Sequence, residues 1–249
     1  MHGVSTRKVD DLVAALRLES GISKSEVSRI CGELDATLEA FRTRPLGHVE
    51  FPHVFLDATY VKARVGERVL ARAVVIATGV TRAGDREVLG CDADDSEDGA
   101  FWTAFLRSLW ARGLSEVQLV ISDTHQSLIN SIGSVLLGTA WQRCRVHSMR
   151  DVLAKIPKAS GEMVGAAIRT VFAQPDAAHV QAQFDEITAM LGRPFPVVAD
   201  MLTDARVDLP GHPPEVWRHS LRGDVMAETR RRYDPEFREG CGSDCQEDG

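Results

Sequence analysis

The chain has 249 residues, of which 44% are apolar and 26% charged, with a formal net charge of −7. This is room for one large domain and a small one, at an ordinary composition for a globular protein. No apolar run reaches the roughly 18 residues of a membrane span, and Met1-His-Gly-Val-Ser-Thr-Arg-Lys8 lacks the apolar stretch of a secretory signal. Five irregularly spaced cysteines exclude a disulfide framework and point to a reducing cytoplasm. The acidic balance argues against a sequence-blind nucleic-acid coat, although basic residues gather locally over Lys62–Arg72, Arg143–Lys158 and Arg218–Arg232.

Residues 5–44 carry a helical pattern. Val9, Leu12, Val13 and Leu16 keep helical spacing, as do Val27, Ile30, Leu34 and Leu38, and Ser20-Gly-Ile-Ser-Lys-Ser25 forms a turn with a capping serine between them. Helix, glycine turn and helix outline a helix-turn-helix, with a helical hairpin that only packs as the alternative. Lys24, Ser25, Ser28 and Arg29 of the second helix are placed to touch phosphates or bases. Arg44-Pro-Leu-Gly47 then marks a boundary.

Three β-branched runs follow at His53–Val65, Arg68–Val80 and Arg86–Cys91, separated by short turns, and predict an antiparallel meander. Asp95-Ser-Glu-Asp98 opens a helix through about Arg112 with Phe101, Trp102, Phe105, Leu106 and Leu109 as its buried stripe, and Gly113 ends it. A strand over Val117–Ser122, a helix over Ser127–Leu137 and a strand over Trp141–Val146 come next. Beyond them Met149–Ile156, Gly161–Phe172, Ala177–Leu191 and Pro196–Val207 read as helices broken by Pro157, Pro175 and Pro194. This order predicts an α/β layer fold.

Asp57 lies in the first strand and Asp123 directly follows a fully apolar one. Carboxylates brought together from separate strands hold hard cations such as Mg²⁺ for phosphoryl transfer, one ion activating the attacking oxygen and the other stabilising the leaving one. An aspartate at a strand end that merely caps the following turn is the competing reading.

The chain from Val4 to about residue 221 resembles the Mutator-like transposases of bacterial insertion sequences. The matching motifs include Gly3-Val-Ser-Thr-Arg-Lys-Val9, Gly21-Ile-Ser-Lys-Ser-Glu-Val-Ser28, Leu56-Asp-Ala-Thr-Tyr-Val-Lys62, Arg86-Glu-Val-Leu-Gly90, Leu119-Val-Ile-Ser-Asp123 and Trp141-Gln-Arg-Cys-Arg-Val-His147. The resemblance implies a ribonuclease H-like fold with a helical insertion, and DNA strand cleavage and transfer by an Asp-Asp-Glu triad with Mg²⁺, for which Mn²⁺ can substitute. It makes Asp57 and Asp123 the first two acids and metal ligands. It also implies DNA partners, the element's terminal inverted repeats and its target, together with a homo-oligomer. Lys62, Arg143, Arg145 and Arg150 become candidate phosphate contacts, with a surface arginine cluster as the alternative. Cys144 and His147 match the family's Cys-x-x-His signature, as half of a zinc site or as packing and hydrogen bonding beside the acids. His125 either orients substrate or caps a helix.

The resemblance breaks near the third acid. Glu215-Val-Trp-Arg218 still fits, but Ser220-Leu-Arg-Gly-Asp-Val225 does not continue the pattern. From Met226 the chain resembles the start of the small reading frame of a different insertion element. Glu228 falls within about one residue of the expected third acid, and Asp224 is a weaker candidate. The sequence therefore predicts a truncated transposase, with a catalytically dead DNA-binding or oligomerising remnant as the alternative. Its expected parts are a partial helix-turn-helix-like segment at 1–45, a ribonuclease H-like core at 50–158, a helical insertion at 159–210 and a divergent, disordered tail at 211–249.

Overall fold

A computed structural model describes residues 23–65 and 68–208. In chain order these form α1 (Lys24–Thr43), β1 (His53–Val65), β2 (Arg68–Val80), β3 (Arg86–Asp94), α2 (Gly99–Ala111), β4 (Leu119–Ser122), α3 (Gln126–Val135), β5 (Ala140–Arg143), α4 (Arg145–Leu153), α5 (Lys158–Phe172), α6 (Ala177–Gly192) and α7 (Pro196–Ala205). The α/β class expected from the sequence is the class observed.

Helix α1 begins where the Ser23 side chain accepts a hydrogen bond from the Glu26 amide at 3.2 Å. Its predicted apolar stripe is not buried among the described residues, since Leu34 is 55% exposed and Leu38 is 36% exposed. Among the described residues, the end of the helix is its anchored part. Arg112 donates to the Phe41 and Arg44 carbonyls, while Arg42 donates to the Cys91 carbonyl and Arg44 to that of Val88. The partner helix expected upstream lies outside the described residues.

The five strands form one sheet in the order β3-β2-β1-β4-β5. Strands β1, β2 and β3 make the expected antiparallel meander, with a register shift at Ala77/Thr78, while β4 runs parallel to β1 and β5 parallel to β4. Side-chain alternation gives β1 two different faces. Val54 and Leu56 join Val75, Ala77, Leu89 and Val120 in a core closed by Trp102, Phe105, Leu106 and Leu109 of α2 and by Leu128 and Ile132 of α3. By the same alternation Phe55 and Asp57 belong to the opposite face. Each fully buried aliphatic or aromatic side chain of such a core contributes about 1.5–3 kcal/mol.

Helix α2 starts at Asp98, whose carboxylate accepts from the Phe101 amide at 2.9 Å. It stops at Gly113, where φ is +98°. An added Cβ there would lie 3.1 Å from the Gly47 amide nitrogen, so this turn needs glycine both for its backbone and for the close approach.

The structure corrects one boundary. Trp141–Val146 reads as a strand, but β5 ends at Arg143 and α4 starts at Arg145. The Cys144 amide still donates sideways to the Ser122 carbonyl at 2.6 Å, while its own carbonyl accepts from Ser148 and closes the first helical turn. Helices α4 to α7, with the Ile156 turn, enclose a second core built on Val152, Ile156, Val164, Ile168, Val171, Val180, Phe184, Ile187, Leu191, Val198 and Leu202. Asp176 caps α6 through the His179 amide, and Pro196 opens α7, where its missing N–H costs nothing. No helix among the described residues is long and apolar enough to cross a membrane.

Candidate active site

The two predicted acids meet through strand register. His53, Val54 and Phe55 of β1 pair with Leu119, Val120 and Ile121 of β4, and Asp57 and Asp123 keep that same spacing two residues further on. Parallel neighbours lie about 4.8 Å apart. Asp57 lies within β1 and Asp123 directly follows the last residue of β4, so the register brings the two residues level with each other on neighbouring parallel strands. The Asp57 side chain remains 49% exposed. The Asp123 carboxylate accepts from the His125 amide at 3.3 Å, so part of the capping reading holds as well. His125 itself precedes α3 and makes no side-chain cap.

Helix α4 brings His147 to this pair. Its Nε2 lies 3.3 Å from Asp57 Oδ1, and the ring is 15% exposed. Cys144 sits one turn earlier, at the N-terminus of the same helix. Burial pushes the Cys144 thiol up. Interaction with the His147 side chain, with the His147 and Val146 amides and with the imidazole charge together outweighs burial, leaving the thiol below its ordinary value. Interaction with the Cys144 side chain raises the His147 imidazole, burial opposes it, the charges of Cys144 and Asp57 raise it further, and Arg150 lowers it. No acceptor lies within ordinary hydrogen-bonding distance of the buried His147 Nδ1, so the pull between ring and sulfur acts at longer reach. The two directions agree: a charged imidazolium favours the Cys144 thiolate, and a thiolate favours the charged imidazole. Iodoacetamide alkylation of Cys144, followed by mass spectrometry, is accordingly expected to have a lower pH midpoint in the folded chain than in the same chain unfolded in guanidinium. His147→Ala should move the folded midpoint upward, because burial then acts with less opposition. An unmoved midpoint would show that the two side chains are not coupled.

A cleft beside the acids is lined by Asp123, Thr124, Arg143, His147, Ser148, Asp151 and Met201. Asp151 and Ser148 escaped the sequence reading. Once α4 starts at Arg145, His147 and Asp151 are four residues apart on one helix face, and that spacing is the signal that could have found them. Met201 reaches the cleft from α7, so the helical module forms one wall.

The predicted phosphate contacts fare differently from one another. Arg143 is engaged: its Nη2 lies 3.0 Å from Asp208 Oδ2, and its amide donates to the Asp208 carbonyl at 3.0 Å. The Arg145 guanidinium stands 4.4 Å from the Phe172 ring centroid, and burial lowers its pKa. Lys62 and Arg150 are exposed. Ser25, Ser28 and Arg29 are exposed on α1, with Arg29 held by Glu26 and Glu33, and Lys24 is the first residue of that helix. Glu228 and Asp224 lie outside the described residues. Among those residues, no group of three His, Cys, Asp or Glu side chains is placed to hold a metal ion, and Cys31, Cys91 and Cys144 are free.

An aspartate within β1 and another directly after the parallel β4, in a five-stranded mixed sheet packed with helices, define an α/β protein with a candidate acidic site. Residues 1–228 match the family model described as "Transposase, Mutator family", and the chain belongs to that family. It is 42% identical over 239 residues to the transposase for insertion sequence element IS1081 of Mycobacterium tuberculosis, covering 93% of this chain and 57% of that protein. It is 37% identical over 172 residues to the transposase for IS256 in transposon Tn4001 of Staphylococcus aureus, covering 69% and 44% of the two chains. For the IS406 transposase of Burkholderia multivorans the identity is 42% over 178 residues, covering 71% and 45%. The chain thus spans about half the length of these relatives. Against the crystal structure of NurA the TM-score is 0.16 at 14% identity, over 70% of this chain and 46% of that one, which carries no argument about the fold.

Proposed function

We propose that this chain is the catalytic portion of a DDE-type transposase that cleaves DNA at the ends of an insertion sequence and joins them to target DNA. The observation that carries this reading is the convergence of Asp57 and Asp123 from neighbouring parallel strands, with His147 against Asp57. The strand order, with β2 alone antiparallel, supports a ribonuclease H-like core, and α5 to α7 fit a helical insertion. The donor set fits a hard cation, since both acids offer oxygen and Asp57 is open enough for the cation to keep several waters. Mg²⁺, with Mn²⁺ in its place, would be held by Asp57 and Asp123 and would supply charge stabilisation of the attacking and leaving oxygens. His147 holds the Asp57 carboxylate in one orientation, and Arg150 and Lys62 offer charge to the DNA backbone. The third acid is assigned to Glu228. The helix-turn-helix-like segment ending in α1 would contact the element's terminal repeats through Lys24, Ser25, Ser28 and Arg29, in a homo-oligomer acting in the cytoplasm.

A second reading, a catalytically dead remnant that still binds DNA or its own kind, is favoured by one fact: after Glu215-Val-Trp-Arg218 the sequence Ser220-Leu-Arg-Gly-Asp-Val225 departs from the family's third-acid pattern. Labelled element-end DNA incubated with the protein and Mg²⁺ or Mn²⁺ separates the two. Cleavage and joined products support the enzyme. A folded protein that binds the DNA and leaves it intact supports the remnant.

A further inference from the structure

Strands β1 and β2 are far longer than the sheet that holds them. Strand β4 pairs with β1 only as far as Phe55, and β3 pairs with β2 only as far as Ala73. Residues 61–65 and 68–72 therefore pair with each other alone, with Val61 opposite Arg72 and Val65 opposite Arg68. Five residues of strand extend about 17 Å, so a two-stranded ribbon projects beyond the core on the strand that carries Asp57.

Hydrophobic packing does not explain this ribbon. Tyr60 is 57% exposed, Val61 41%, Val69 60% and Leu70 39%. An isolated hairpin gains little stability on its own, so a projecting one fits a partner. Its charge indicates which kind. Residues 58–80 contain Lys62, Arg64, Arg68 and Arg72 and a single acid, Glu67, in a chain whose net charge is −7. Arg72, at the base, is paired with Asp95, 3.0 Å away. Lys62, Arg64 and Arg68 are exposed and have no ion pair among the described residues. Pairing puts Lys62 and Arg64 on one face of the ribbon and Arg68 and Arg72 on the other. Positive charge on both faces suits a groove with phosphates along each wall, and the major groove of duplex DNA admits a two-stranded ribbon.

We propose that the β1–β2 ribbon is a DNA-binding arm that lies in the major groove of the duplex flanking the cleaved bond. This rests on the DNA-acting reading given above and adds to it where the duplex runs, which is outward along β1 from Asp57. Lys62, Arg64 and Arg68 contact phosphates, and the apolar side chains between them meet sugars and base edges.

The test is equilibrium binding of a fluorescent duplex of arbitrary sequence over a series of salt concentrations. Three proteins are compared: the wild type, an alanine variant (Lys62→Ala, Arg64→Ala, Arg68→Ala) and a charge-keeping variant (Lys62→Arg, Arg64→Lys, Arg68→Lys). Every phosphate left without its basic partner makes the slope of log affinity against log salt shallower by about 0.9, so the alanine variant should lose roughly 2.7 and the charge-keeping one nothing. Should the triple alanine variant fail to melt cooperatively, Arg68→Ala alone, at an exposed position, should still lose about 0.9. An unchanged slope in the alanine variants overturns the arm and leaves the DNA-acting reading standing. A wild type that binds no duplex removes both. If the alanine substitutions alter sedimentation but not the slope, the arm's partner is a second copy of the chain and the proposal fails.

Discussion

Asp57→Ala is expected to abolish strand cleavage without unfolding the protein. Electrostatic stabilisation of the reacting oxygens at such a site is worth several kcal/mol, so losing one of its carboxylates should slow cleavage by about 10³-fold or more. The fold should barely register the change. The Asp57 side chain is half exposed, its only ion pair among the described residues is with His147, and exposed substitutions of this kind stay within about 0.5 kcal/mol. Asp123→Ala should slow cleavage equally and also loosen the turn into α3, because its carboxylate accepts from the His125 amide. Asp57→Asn keeps the shape and removes the charge, separating the electrostatic role from packing. Cleavage by Asp57→Ala at the wild-type rate would sink the assignment. Glu228→Ala run alongside tests the third acid: an equal loss places it in the triad, whereas unaltered cleavage excludes it.

The largest stability effect is expected at Trp102. This ring is fully buried in the core that α2 and α3 share with the sheet, with Phe101 and Phe105 at centroid distances of 5.9 and 6.2 Å. Truncating a buried tryptophan to alanine costs about 3–5 kcal/mol, a large share of the roughly 5–15 kcal/mol that holds a domain together. The urea midpoint of Trp102→Ala should fall accordingly. Trp102→Phe should cost much less, because it keeps most of the apolar volume and removes an indole N–H that has no partner. A midpoint for Trp102→Ala equal to that of the wild type would mean that α2 does not hold the sheet as described. Since Trp102 belongs to the core that packs Val54 and Leu56 of β1, its loss should also weaken cleavage by loosening the strand that carries Asp57.

What the sequence made legible followed from patterns that local physics controls. β1 and β2 run over the expected residues because β-branched runs end at tight turns. Asp98 and Gly113 bracket α2 because capping and positive φ are local requirements. Asp57 and Asp123 stood out because apolar strand residues lead into each of them. Pairing between β1 and β4 depends on contacts distant in sequence, so the side-by-side placement of the acids required the fold. The β5–α4 boundary was misread for a different reason. Trp141, Gln142 and Arg143 alternate like a strand, and the stop at Cys144 comes where its carbonyl turns to accept from the Ser148 amide, a switch that the alternation does not reveal. That error hid the helix face on which His147 and Asp151 both lie. The helical spacing of Val27, Ile30, Leu34 and Leu38 marked an apolar face on α1 without showing what covers it, and Leu34 and Leu38 are open to solvent among the described residues.

The guanidinium groups at the end of α1 have a consequence for behaviour at high concentration. A strand on the margin of a sheet offers unpaired carbonyls that can recruit a strand from another molecule and seed fibrils. At β3 the Cys91 and Val88 carbonyls are already taken by Arg42 and Arg44, and Asp92 and Glu87 hold those arginines in place. An incoming strand would have to displace two charge-assisted hydrogen bonds before forming its own. The same contacts that anchor α1 therefore act as gatekeepers against edge-to-edge aggregation.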